Sequence, residues 1–91
     1  MYCLGLDVGE RRVGVAVGEV LARPVTTLKR RSKERDYEAI GRLVREHQAD
    51  TIVVGLPLNM DGSKGCQSQK VERFADGMEE ALGEMGLNVK V

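Results

Sequence analysis

Aromatic side chains are scarce: Tyr2, Tyr37 and Phe74 are the three in 91 residues, and there is no tryptophan. That scarcity excludes an aromatic platform on which bases stack, so any nucleic acid would be met through its phosphates and its shape. The two cysteines, Cys3 and Cys66, are too few for a disulfide framework or a zinc site. They read as reduced thiols of a cytoplasmic protein, one of them buried in a strand. Long apolar runs are missing as well. The longest, Ile52 to Leu58, falls far short of the ~18–20 residues a membrane span requires. No basic stretch precedes an apolar one at the N-terminus, where strand-like residues begin at Tyr2, so no signal peptide is expected. With 42% apolar and 31% charged residues, the chain has a folded rather than a disordered composition. Residues 1–91 make one domain, and a chain of this length buries only about 60–65% of its unfolded surface, so its stability is marginal.

Net charge is also absent, with 14 basic and 14 acidic side chains. The zero conceals an asymmetry. Residues 11–35 carry a net +6, while residues 1–10 carry −2 and residues 36–91 carry −4. The excess is densest from Lys29 to Arg35. A lone charge run is most often a solvated loop leading into a helix. One sign and few neighbouring acids point instead to the footprint of a polyanion.

Tyr2 to Val8 reads as a buried strand that ends in the turn Val8-Gly9-Glu10-Arg11. Arg12 to Gly18 alternates, with Val13, Val15 and Val17 on one face, and closes a hairpin with the first strand. Pro24 to Leu28 gives a third strand, with Pro24 at its first position or on a sheet edge. Ser32 is the natural N-cap of a helix whose apolar stripe is Tyr37, Ile40, Leu43 and Val44. The lone histidine, His47, falls at the end of that helix as a boundary residue. Thr51 to Gly55 is a short continuous apolar strand of the kind found in parallel sheets. A polar, Gly-rich loop follows from Pro57 to Gly65. The stripe Val71, Phe74, Ala75, Met78, Leu82 and Met85 predicts a second helix over about 66–85, with Gly86 as its C-cap. Leu87 to Val91 restarts a strand.

The expected fold is α/β: a mixed sheet of order 3-2-1-4-5, built as β-β-β-α-β-α-β. Right-handed crossovers from strand three to four and from four to five place both helices on one face. The other face is left uncovered, although a mixed sheet flanked by helices normally buries both. On that logic the 91 residues are expected to be the front part of a larger domain. Self-association through the bare face, giving a homodimer, or through the unpaired edge of the fifth strand is the corresponding expectation.

Two segments could carry chemistry. The first is Gly5-Leu6-Asp7-Val8-Gly9 with Arg11 and Arg12. An acid closing a central buried strand is unfavourable, because burying a carboxylate costs several kcal/mol unless something compensates it. Either Asp7 caps its own turn or it is a ligand for Mg²⁺ or Mn²⁺, hard cations that prefer carboxylate oxygens. Gly9 would let a phosphate approach the backbone. One acid cannot make a two-metal site. The second segment runs from Val53 through Gly55-Leu56-Pro57-Leu58-Asn59-Met60-Asp61-Gly62-Ser63 to Lys64. It leaves the carboxyl end of a strand, where open sheets place their sites. Asn59, Asp61, Ser63 and Lys64 can contact phosphate or sugar, and Gly62 allows close approach. Asp61-Gly62 is equally a plain turn signal.

Together the two segments resemble the YqgF (RuvX) family of RNase H-like proteins, described as Holliday junction resolvases or pre-16S rRNA nucleases. The likeness extends over essentially the whole chain. It includes the Gly5–Ala16 hairpin, Ala22-Arg23-Pro24, the run from Val53 to Gly65, and Gln69-Lys70-Val71-Glu72-Arg73-Phe74-Ala75. The resemblance implies a metal-dependent nuclease acting on the 5′ end of precursor 16S rRNA, with branched DNA as the alternative substrate. It makes Asp7 the catalytic, metal-binding acid. Arg11, Arg12, Asn59 and Asp61 fall on its substrate-side loops, and Lys29, Arg30, Arg31 and Lys64 would hold phosphate backbone. Its partners would be nucleic acid and a ribosomal precursor.

Two departures matter. The family continues into an Asp-Glu-Arg motif and a helix bearing a further acid, so these 91 residues by themselves are expected to be inactive. Where many members have Ser-Asp, this chain has Gly18-Glu19. A non-catalytic RNA- or ribosome-binding module using the same basic segment is the rival from another class. The Asp-x-Gly hairpin also resembles that of actin-like sugar kinases, but 91 residues leave no room for their second domain.

Overall fold

Val13, Val15 and Val17 are buried while Arg12 is exposed and Gly14, Ala16 and Gly18 are half-covered, the period-two pattern of a strand with one face on a core. The computed structural model describes residues 2–18, 23–56 and 65–87. In it these valines lie on β2 (Arg12–Gly18), which pairs antiparallel with β1 (Cys3–Val8) and with β3 (Arg23–Lys29). On the other side of β1 runs β4 (Thr51–Val54), parallel to it, so the order is β3-β2-β1-β4. Gly55 extends that ladder by one bond, its N–H donating to the Leu6 carbonyl at 2.9 Å. The expected fifth strand, at residues 87–91, lies almost wholly outside the described residues. Pro24 sits on the edge strand β3, where its missing N–H costs no ladder bond, beside a register shift opposite Val15 and Ala16.

Two helices follow from capping and periodicity. The Ser32 hydroxyl accepts from the Arg35 N–H at 3.2 Å and opens α1 (Lys33–His47). Gln48, at φ 52°, ends it in the left-handed region. The second helix, α2 (Cys66–Glu84), ends in a cap at Met85. Gly86, at φ +78°, is therefore one residue beyond the cap rather than the cap itself, the place where a left-handed glycine lets the chain turn away.

Both helices pack on one face. Leu4, Leu6 and Val8 of β1, the three valines of β2 and Ile52 of β4 form a single buried cluster with Tyr37, Ile40 and Val44 of α1 and Val71, Phe74, Met78 and Leu82 of α2. Each large apolar side chain so buried contributes roughly 1.5–3 kcal/mol. Among the described residues nothing covers the other face, as the crossover logic predicts. Val53 is 57% exposed there, so β4 is buried on one side only and not throughout. Cys3 is half-buried and Cys66 exposed, so neither is the buried strand thiol expected.

The two helices meet at an aromatic contact. Tyr37 and Phe74 lie with ring centroids 5.1 Å apart, and the Tyr37 hydroxyl donates to the Phe74 carbonyl at 3.1 Å. Burial pushes the Tyr37 phenol above its ordinary pKa, more than the nearby Arg30 guanidinium lowers it, and Asp36 adds to the rise. Gly77 makes this approach possible, because a Cβ there would stand 2.5 Å from the Tyr37 hydroxyl oxygen. Gly77→Ala is therefore expected to destabilise by about 1–3 kcal/mol through overpacking, despite alanine's better helix propensity. At Gly83, on the same helix, a Cβ would meet nothing within 4 Å. There the alanine variant is expected to gain up to about 0.5–1 kcal/mol. Chemical denaturation of the two variants checks the opposed signs; the same sign for both would show that the Tyr37 approach is not what Gly77 permits.

Candidate nucleic-acid and metal site

The side chains of β1 that do not face the core are Cys3, Gly5 and Asp7. Asp7 is thus exposed on the uncovered face, at the carboxyl end of the strand, and not buried as the sequence suggested. The desolvation argument for a ligand there falls away. What replaces it is availability: among the described residues Asp7 has no hydrogen-bond or ion-pair partner, so its oxygen lone pairs remain open to a cation or solvent.

Sheet register gives Asp7 its neighbours. It pairs with Gly14, whose lack of a side chain leaves the carboxylate uncrowded; a Cβ there would lie 3.7 Å from the Asp7 Cβ. Two residues back along β2 is Arg12, on the same face and roughly 7 Å away along the strand. Arg12 pairs directly with Lys29 of β3. Like charges set opposite each other on one sheet face disfavour pairing, and an anion between them relieves that. Asp7, Arg12 and Lys29 therefore share one face at one end of the sheet, with both cations on the β2–β3 side of the carboxylate. Thr27, opposite Gly14, completes the row.

The hairpin loop is tightly closed. The Gly9 N–H donates to the Arg12 carbonyl at 2.8 Å, and a Cβ on Gly9 would approach that oxygen to 3.0 Å. This close approach gives Gly9 a structural reason of its own. Arg11 is exposed, and its carbonyl accepts from the Arg30 N–H at 2.8 Å.

Arg30 is placed differently from its neighbours. Its Nη1 donates to the Gly9 carbonyl at 2.9 Å, its Nε lies 3.4 Å from Oδ2 of Asp36, and its guanidinium sits 5.0 Å over the centre of the Phe74 ring. Asp36 is 5% exposed and also accepts from the Arg31 N–H at 3.0 Å. Arg30 thus ties the hairpin loop to both helices, while the Arg31 and Lys29 side chains stay exposed. Sequence reading missed this clasp. Its one sequence signal is Asp36, an acid beside the first apolar position of the α1 stripe. Asn59, Asp61, Gly62 and Lys64 lie outside the described residues, as does Glu19.

Asp7 suits Mg²⁺ or Mn²⁺ as a single hard-oxygen ligand, because such ions are commonly held by one or two carboxylates together with water and substrate phosphate. Among the described residues no group of three His, Cys, Asp or Glu could hold a metal ion. They account for one ligand and do not form the carboxylate set of a two-metal site.

A meander of three strands, a fourth strand parallel to the first, two helices on one face and an acid at the end of the central strand define the RNase H-like class. Thermus thermophilus RuvC, solved in complex with a Holliday junction substrate, shares this fold. The likeness has a TM-score of 0.64 at 18% identity and covers 96% of this chain and 60% of that one. More particularly, the model of the RuvX family, described as Holliday junction resolvase, matches residues 1–91, and the chain belongs to that family. A relative from Thermoanaerobacter pseudethanolicus, named "Putative pre-16S rRNA nuclease", is 43% identical over 85 residues, covering 90% of this chain and 61% of the relative. One of the same name from Clostridium botulinum strain Hall is 44% identical and is covered to 62%. The chain spans about three-fifths of the length of the curated relatives it matches.

Proposed function

We propose that the protein is a metal-dependent nuclease that hydrolyses phosphodiester bonds, with precursor 16S rRNA as substrate and the cytoplasm as its place of action. The observation that carries this is Asp7, a carboxylate at the carboxyl end of β1 with no partner among the described residues, sharing one sheet face with Arg12 and Lys29. The names of the relatives support the substrate. Mg²⁺ or Mn²⁺, when bound, supplies Lewis-acid stabilisation and a more acidic water. The chain's own residues do the rest. Asp7 holds the ion, Arg12 and Lys29 set a backbone phosphate beside it, and Arg11 and Arg31 add longer-range attraction. Asn59, Asp61 and Lys64 are assigned to substrate contact from the sequence run they share with the family.

The family description favours a second substrate, branched DNA. The two are separated in a chimera where this chain replaces the matching stretch of the Thermoanaerobacter relative. Faster Mg²⁺-dependent cleavage of a precursor-16S leader than of a four-way DNA junction supports the first; the reverse order supports the second. Phosphate-backbone binding that survives Asp7→Asn, with no cleavage by the unsubstituted chimera, would instead mark a binding module.

A homodimer across the uncovered face belongs to the same reading, since Val53 is 57% exposed there. Sedimentation should show mass rising with concentration for the natural chain and a monomer for Val53→Asp. A monomeric natural chain at high concentration would rule the dimer out.

A further inference from the structure

A second cationic site lies on the helical side of the same sheet end. Phe74 and Arg30 form the floor of a groove of about 210 Å³, and Lys33, Lys70 and Arg73 complete its lining. The four cations come from three places in the chain: the β3–α1 link, the first turn of α1, and the first half of α2. On α2, Lys70, Arg73 and Phe74 stand at i, i+3 and i+4 and so share one helix face. Asp36 engages the inner side of Arg30, and Glu10 reaches Lys70 at 3.8 Å with both side chains exposed. Among the described residues Lys33 and Arg73 have no carboxylate partner. The floor is fixed before any ligand arrives, because Arg30 is held by Gly9, Asp36 and the Phe74 ring. Its remaining N–H donors are thereby oriented at little further entropic cost.

The groove is joined directly to the Asp7 end of the sheet. Gly9 and Glu10, which follow Asp7 by two and three residues, contact Arg30 and Lys70.

We propose that this groove binds the phosphodiester backbone of a nucleic-acid duplex at a position away from the cleaved bond, so that the substrate crosses the hairpin from the uncovered face to the helical side. The inference rests on the nucleic-acid reading above but not on cleavage. Glu10 then acts as a gate, competing with phosphate for Lys70.

The test is binding of the natural chain and of Lys70→Gln/Arg73→Gln to fluorescent RNA and DNA duplexes of one sequence, without divalent cation, between about 50 and 300 mM salt. Both side chains are exposed, so circular dichroism and Tm should not move. The double variant is expected to bind about tenfold more weakly, with the slope of log affinity against log salt shallower by roughly 2 on DNA. Glu10→Gln should tighten binding a few-fold. Loss on both duplexes assigns the groove to phosphate backbone in general, and loss on one alone names that nucleic acid as its ligand. Unchanged affinity and slope on both, or no binding by the natural chain, would overturn the proposal. Cleavage by the chimera and its dependence on Asp7 are read separately, so either idea can fail alone.

Discussion

Phe74→Ala is expected to remove about 3–5 kcal/mol of stability, the largest structural effect of any single substitution considered. The ring is 3% exposed and does three things at once. It fills part of the core that α1, α2 and the sheet share, lies against Tyr37 at 5.1 Å, and supports the Arg30 guanidinium at 5.0 Å. A chain of this size has roughly 5–13 kcal/mol in total, so the variant stands near the limit of folding. Urea denaturation should show a much lower midpoint at an unchanged slope. Phe74→Leu keeps most of the buried volume and loses only the ring contacts, so it should fall between the two. A loss below about 1 kcal/mol for Phe74→Ala would mean that the site can collapse and that the clasp does not depend on the ring.

The fold was legible where periodicity speaks. Val13, Val15 and Val17 mark β2, Tyr37, Ile40 and Val44 mark α1, and Ser32 marks its start; in the structure each stands as read. The crossover rule foretold that both helices share one face, and the core cluster agrees. The same reasoning misjudged individual side chains on the uncovered face. It took Asp7 as buried, because strand position does not say which face lacks a covering layer. Only Asp7's register with Gly14, opposite the core valines, settles that. The contacts of Arg30 were illegible for a different reason. Its neighbours Lys29 and Arg31 are exposed cations, and composition treats all three alike, yet tertiary contacts with Gly9, Asp36 and Phe74 turn Arg30 inward. Lys70 and Arg73 were hidden by averaging, since they lie in the half of the chain with net negative charge.

Asp7→Asn is expected to lower cleavage by about 10³-fold, which corresponds to about 4 kcal/mol of transition-state stabilisation. Asparagine keeps the shape and one oxygen but loses the charge that makes a carboxylate a ligand for a hard cation. Because Asp7 is exposed and has no partner among the described residues, the substitution should move stability by no more than about 0.5 kcal/mol. Loss of activity could not then be attributed to unfolding. Arg12→Gln should behave differently, weakening substrate binding more than it slows the chemical step, by a factor that is largest at low salt and shrinks as salt rises.

The most direct measurement is single-turnover cleavage of a precursor-16S RNA leader by the chimera carrying this chain, with and without Asp7→Asn, in Mg²⁺ and at saturating enzyme. The account predicts cleavage by the unsubstituted chimera and a fall of about 10³-fold in the variant at unchanged Tm. Equal rates for the two would contradict it, since Asp7 would then hold nothing that the reaction needs.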